Sequence, residues 1–166
     1  LSDRVKGNLS GLARVTERIR SMTSIVYVGV PSTAEPEADG TSMATVAAAN
    51  EFGTATIPER SFLRGGIRDG IPGFIELNRQ NIAKIVEGKG MTDRRAKSLL
   101  GTAAANAVQK KIVEGEFVPN APSTIAAKKS SRPLVDTGAL RQSITWELRE
   151  KGSGEDAGGG EFEGGL

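Results

Sequence analysis

The stretch PLVDTGALRQSITWELREK, Pro133–Lys151, admits two folds. An Asp-Thr-Gly behind two apolar residues is how a retroviral-type aspartic protease presents its catalytic carboxylate. That enzyme is an all-β subunit with the triplet in a loop, and two such carboxylates share a proton across a dimer axis. The residues after Gly138 point elsewhere. Ala139, Leu140, Arg141 and Gln142 favour helix, and Leu140 and Ile144 stand four apart on one helical face. Asp136 or Thr137 would then cap the first turn by accepting backbone N–H bonds, a contribution of about 1 kcal/mol. Gly138 would permit close approach at the turn. From Ser143 the pattern alternates, which sets Ile144, Trp146 and Leu148 on one face of a strand. On this reading the stretch is a loop, a short helix and a last strand, and Asp136 is structural.

The upstream pattern agrees. Leu1, Val5, Leu9, Leu12, Val15 and Ile19 recur at spacings of four and three, which predicts an amphipathic helix from Leu1 to about Arg20. SIVYVGVP reads as a strand over Ser24–Val30, ended by Pro31. The polar stretch 31–42 reads as a mobile loop. TSMATVAAANEFG predicts a short helix capped by Thr41 or Ser42, with Gly53 in a left-handed position beyond its end. Ile57-Pro58 is extended, since proline biases the preceding residue away from helix. Helix resumes near Phe62, is interrupted around Asp69–Gly73, and runs on to a stop at EGKG. The strongest helical signal follows. Thr92 is a good N-cap, Asp93 suits the positive end of the dipole, and Gly115 closes the element. Ala96, Leu99, Leu100, Ala103, Ala107, Val108 and Ile112 form its stripe. A helical turn is possible at Ser123–Lys129.

The expected fold is therefore α+β: a small, mainly antiparallel sheet that includes Ser24–Val30 and Ile144–Lys151, packed by about three helices. Residues 1–151 make one domain, and Gly152–Leu166 a flexible, Gly-rich acidic tail.

Composition narrows the chemistry. The 166 residues suffice for one core. There is no Cys, so disulfides and thiolate chemistry are excluded, and no His, so Ser-His-Asp and Cys-His constellations and most zinc sites are excluded too. No run approaches the ~20 apolar residues of a membrane span. The charged, amphipathic start does not read as a secretory signal. Of 20 acidic residues, Glu155, Asp156, Glu161 and Glu163 lie in the tail with no base beside them; the remaining 16 face 22 basic residues, a net +6. That is too mild a balance to argue nucleic-acid binding by itself, although a small basic nucleic-acid-binding module stays an alternative.

Two segments and the helix between them carry a resemblance. AAANEFGTATIPERSFLR (Ala47–Arg64) and VPNAPSTIAAKKSSRPLVDTGALRQSITWEL (Val118–Leu148) flank the helix of GKGMTDRRAKSLLGTAAANAVQKKIVEGEF (Gly88–Phe117). In this order they resemble the tail-completion and neck proteins of tailed bacteriophages, including the Mu-like virion-morphogenesis group. In that group an Asn/His-Glu-Phe-Gly motif precedes Ile-Pro-x-Arg-x-Phe. A long helix then leads to Pro-Asn-x-Pro, Leu-x-Asp-Thr-Gly-x-Leu and a Ser-Ile strand. The match covers roughly Ser24–Leu148. Ser61 departs from it, standing where the group usually has Pro.

The resemblance implies a structural virion protein, assembled in the host cytoplasm into a ring, commonly hexameric, in the neck or tail. Its partners would be further copies of itself, the head-side connector or stopper, and the tail terminator or tube. DNA would pass through the lumen. It implies no catalysis, no cofactor and no membrane contact.

Under this reading Asn50, Glu51, Phe52 and Gly53 end the short helix, with Phe52 anchoring it in the core and Gly53 reversing the chain. Ile57 and Pro58 set the extended segment, and Phe62 returns to the core. Glu51 is a candidate partner of Arg60 or Arg64, although plain solvation is the commoner fate of a single charge. Asp136, Thr137, Gly138 and Leu140 form the later turn. Lys110, Lys111, Lys128, Lys129 and Arg132 could face DNA or an acidic partner, or only solvent. Loop 31–42 and the tail are the expected docking elements.

Overall fold

A computed structural model describes residues 9–122, 125–126, 133–134 and 138–150. Chain order is α1 (Leu9–Arg20), β1 (Ser24–Gly29), α2 (Met43–Phe52), α3 (Phe62–Glu87), α4 (Asp93–Glu114), α5 (Ala139–Ser143) and β2 (Thr145–Glu150). The fold is α+β. β1 and β2 pair antiparallel, in a register that sets Ser24 opposite Glu150 and Gly29 opposite Thr145. The Leu1–Asn8 part of the expected first helix lies outside the described residues. So do the tail, and most of the turn expected at Ser123–Lys129.

α4 is the spine. It packs on α3 along one side and on both strands along another. Thr92 caps it as expected, accepting from the Arg95 amide at 3.2 Å. The Asp93 carboxylate accepts from the Ser24 amide at 2.9 Å, which ties the start of β1 to the start of α4. The core gathers Met43, Phe62, Ala105, Val108, Ile112, Leu140 and Ile144, and Val28, Val30 and Trp146 pack against it. The strand alternation therefore aims where the sequence predicts. On the opposite sheet face Arg149 stacks over Tyr27 at 4.8 Å.

The α4 stripe differs from expectation in one respect. Leu99 is 44% exposed, and the small residues Gly101, Ala104 and Ala105 are buried instead. Close approach is the reason. A Cβ on Gly101 would stand 2.5 Å from the Trp146 ring, and one on Gly66 of α3 2.7 Å from the Val108 Cα. The helix is recognised by its neighbours through what it lacks, which a hydrophobic pattern does not register.

The interruption expected at Asp69–Gly73 does not occur. α3 runs unbroken for 26 residues with Pro72 inside it. Proline removes the bond to the Arg68 carbonyl. Arg68, Ile71, Pro72 and Gly73 are all exposed, so water can satisfy that carbonyl, and α3 packs along α4. α3 ends as predicted, at Gly88 in the left-handed region, with the Lys89 amide bonded back to the Lys84 carbonyl at 2.9 Å.

Candidate functional site

The residues that carry the motifs converge where α2 ends and α3 begins. α2 is started by Ser42, whose hydroxyl accepts from the Thr45 amide, and its alanine run propagates the helix. Gly53 then breaks it with φ 74 and ψ 170. The positive φ favours glycine as expected, but this is not the left-handed helical cap. A Cβ there would also meet the Glu59 amide nitrogen at 2.9 Å. The Thr54 amide donates to the Ile57 carbonyl at 2.8 Å, and its hydroxyl accepts from the amides of Thr56 and Ile57. Ile57 and Pro58 thus belong to a closed loop that brings Arg60–Arg64 back against the last turn of α2.

Glu51 sits at the centre. Solvation, the commoner fate, is not what happens: Glu51 is 3% exposed. Its Oε1 accepts from the Ser61 hydroxyl at 3.0 Å, the Arg64 amide at 3.0 Å and Arg64 Nε at 2.8 Å; Oε2 accepts from the Leu63 amide at 2.7 Å. These amides belong to the first turn of α3, which has no intrahelical acceptor for them. Ser61, at the N-cap position, makes no capping bond of its own. Glu51 therefore caps α3 from another helix, and its charge also suits the positive end of the α3 dipole. The Ser61 departure has a use, since its hydroxyl donates to this carboxylate where proline could not. Burial alone would push the Glu51 carboxyl up. The bonds from Arg64, Leu63 and Ser61 outweigh it and hold the group below the usual glutamate range.

The two arginines divide the labour. Arg64 is the ion-pair partner of Glu51, and it also donates to Glu59 at 2.8 Å. Its guanidinium lies over the Phe52 ring at 4.9 Å. Phe52 is 62% exposed, so it does not anchor α2 in the core as expected. Met43 at the other end of α2, and Phe62 at the start of α3, are both 1% exposed and take that role. Helical phase explains this. Glu51 occupies the inward position of the last turn, which turns its neighbour outward.

Arg60 is 6% exposed and makes no ion pair with Glu51. Nε donates to the Val118 carbonyl at 2.9 Å, Nη1 to Asn50 Oδ1 at 3.2 Å, and Nη2 to the Pro119 carbonyl at 3.3 Å and Asn120 Oδ1 at 3.1 Å. Its own amide donates to the Asn50 carbonyl at 2.7 Å. Desolvation by burial lowers its pKa. The structure thus joins Asn50, Glu51, Arg60, Ser61 and Arg64 to the Val118–Asn120 segment. Sequence reasoning missed the last of these, because nothing in its spacing announces a partner some sixty residues away.

The remaining candidates do not join this centre. Leu140 is buried in the core. Gly138, not Asp136 or Thr137, occupies the N-cap position of α5, at φ 84. It is there for its backbone angle and not for close approach, since among the described residues a Cβ would meet only the Gln142 amide at 3.7 Å. Asp136, Thr137, Lys128, Lys129 and Arg132 lie outside the described residues. Lys110 pairs with Glu114 at 3.6 Å and Lys111 with Asp69 at 2.8 Å, so both lysines have acidic partners within the chain. The loop 31–42 is closed by bonds of its own, including the Glu37 amide to the Thr41 carbonyl at 2.9 Å. Among the described residues no group of three or more acidic side chains is placed to hold a metal, and no helix is long and apolar enough to cross a membrane. Comparison of the chain with protein families, curated proteins and solved structures finds no match.

Proposed function

We propose that this chain is a structural protein of the neck or tail of a tailed bacteriophage. It acts as a ring of identical subunits, commonly six in the group it resembles, and joins the tail to the head connector so that DNA can pass. One observation carries the reading. Of the segments that bear the resemblance, Asn50–Gly53 and Ile57–Arg64 are joined by a short loop and Val118–Asn120 lies some sixty residues on, yet all three interlock through Glu51 and Arg60. Residue types that a chance likeness would scatter are here employed on one another.

The competing readings have less support. A retroviral-type protease needs an all-β subunit, whereas the described residues form helices around a two-stranded sheet. A nucleic-acid module needs free cations; of the five candidates, the two among the described residues, Lys110 and Lys111, are matched by Glu114 and Asp69. Labelling the chain in purified phage particles and imaging them by electron microscopy tests the proposal. Label at the head–tail junction is expected. Absence of the chain from finished particles contradicts it, as does peptide cleavage that is lost in Asp136→Asn.

A further inference from the structure

We infer that Arg60 is a latch that holds two surface segments, the 53–59 loop and Val118–Asn120, as one unit. This holds whether or not the chain forms a ring. The segment that leaves α4 turns outward: Phe117 packs against the core, Val118 is 53% exposed, and Pro119 is exposed. The carbonyls of Val118 and Pro119 receive their side-chain bonds from the Arg60 guanidinium. The same planar group reaches Asn120 on that segment and Asn50 on α2, while its backbone amide closes on the Asn50 carbonyl.

Every partner of this buried cation is neutral. A guanidinium without a counter-charge is costly to bury, and the cost is met only while the acceptors stay in place together. Losing the Val118–Asn120 carbonyls would strand the cation and draw it toward water. Because Arg60 Nη1 also bridges to Asn50 Oδ1 across the mouth of the 53–59 loop, that loop would loosen in the same event. The fork geometry matters too. Its donors point in fixed directions to Asn50, at the mouth of the loop, and to Val118–Asn120, whereas a lysine ammonium offers one point charge on a flexible stem. The arrangement therefore couples the two segments, and a partner that engages one acts on the other.

Backbone amide order parameters of the full chain test this in solution. In the native protein Val118, Asn120 and Ala121, and Thr54 through Glu59 apart from Pro58, should show values near the rigid limit of about 0.85. Arg60→Met keeps the apolar stem and removes the fork. It should drop both segments below about 0.6 together, and leave Ala104 and Val108 in α4 unchanged. A drop in one segment only, in neither, or evenly across the molecule overturns the inference. Asn50→Ala removes the α2 acceptor while retaining the cation, and should give the same paired loss in smaller measure. It serves if Arg60→Met does not fold, and an unchanged Val118–Ala121 in that variant is equally decisive against the latch.

Discussion

Replacing Glu51 by Gln keeps the shape of the side chain and changes only what its atoms do. The carboxylate accepts from Ser61, from the amides of Leu63 and Arg64, and from Arg64 Nε. A carboxamide has one accepting oxygen. In its better orientation the oxygen keeps the Oε1 partners and the NH2 group faces the Leu63 amide, which Oε2 now holds at 2.7 Å. A buried N–H left unsatisfied costs about 1–3 kcal/mol, and each retained bond loses its charge assistance, of order 1 kcal/mol. Part of this is offset because a buried charge is no longer desolvated, and the Arg64 end is discounted because that side chain is 55% exposed. The net expectation is a loss of about 2–4 kcal/mol at pH 7, or roughly 5–15 °C in Tm for a chain of this size.

The pH dependence supplies a second reading of the same variant. The Glu51 carboxyl is held below its ordinary value in the folded state. Its contribution is therefore fully present above about pH 4.3, the unfolded value, and is lost as pH falls through the lower folded value. The gap between native protein and Glu51→Gln should shrink across that window. Urea denaturation followed by far-UV circular dichroism at pH 7 and at pH 3 measures both quantities. A variant within about 0.5 kcal/mol of the native protein at pH 7, or a gap that widens in acid, would refute the assignment of Glu51 as the cap of α3.

Phe52→Ala should change stability by less than about 1 kcal/mol, the scale of an exposed cation–π contact, although a core phenylalanine would cost about 3–5. Phe62→Ala, by contrast, should fall in that larger range, and chemical denaturation of the pair separates them. Gly101→Ala gains about 1 kcal/mol in helix propensity but sets a methyl group 2.5 Å from the Trp146 ring. Overpacking of about 1–3 kcal/mol should win. Trp146 is the only tryptophan, so a shift in its fluorescence maximum reports the displacement directly, and an unshifted spectrum with raised stability counts against the packing described.

Much of the fold is legible in the sequence because its signals are local. Thr92, Ser42, Gly88 and the alternation from Ile144 to Leu148 each act within a few residues, and each is found where the pattern sets it. What the sequence conceals is non-local. Pro72 reads as a breaker, and only the packing of α3 on α4 shows why the helix passes through it. Glu51 reads as one more surface charge until the 53–61 loop returns the α3 amides to it. Phe52 reads as core because aromatic residues usually are. The burial of Glu51 fixes the phase of α2 and turns Phe52 out. Arg60 is visible as a motif residue, but its acceptors at Val118–Asn120 lie on the far side of two long helices. Charge spacing alone could not choose between it and Arg64 as the Glu51 partner.

The most direct test of the account is the mass of the native assembly. Native mass spectrometry of the full chain, alone and mixed with phage tail proteins, should give a closed ring if the proposed role is right. Six copies of the 17.4 kDa chain is the expected state, either at once or on mixing. A chain that remains a monomer or a dimer in both conditions contradicts the ring, and with it the proposed role.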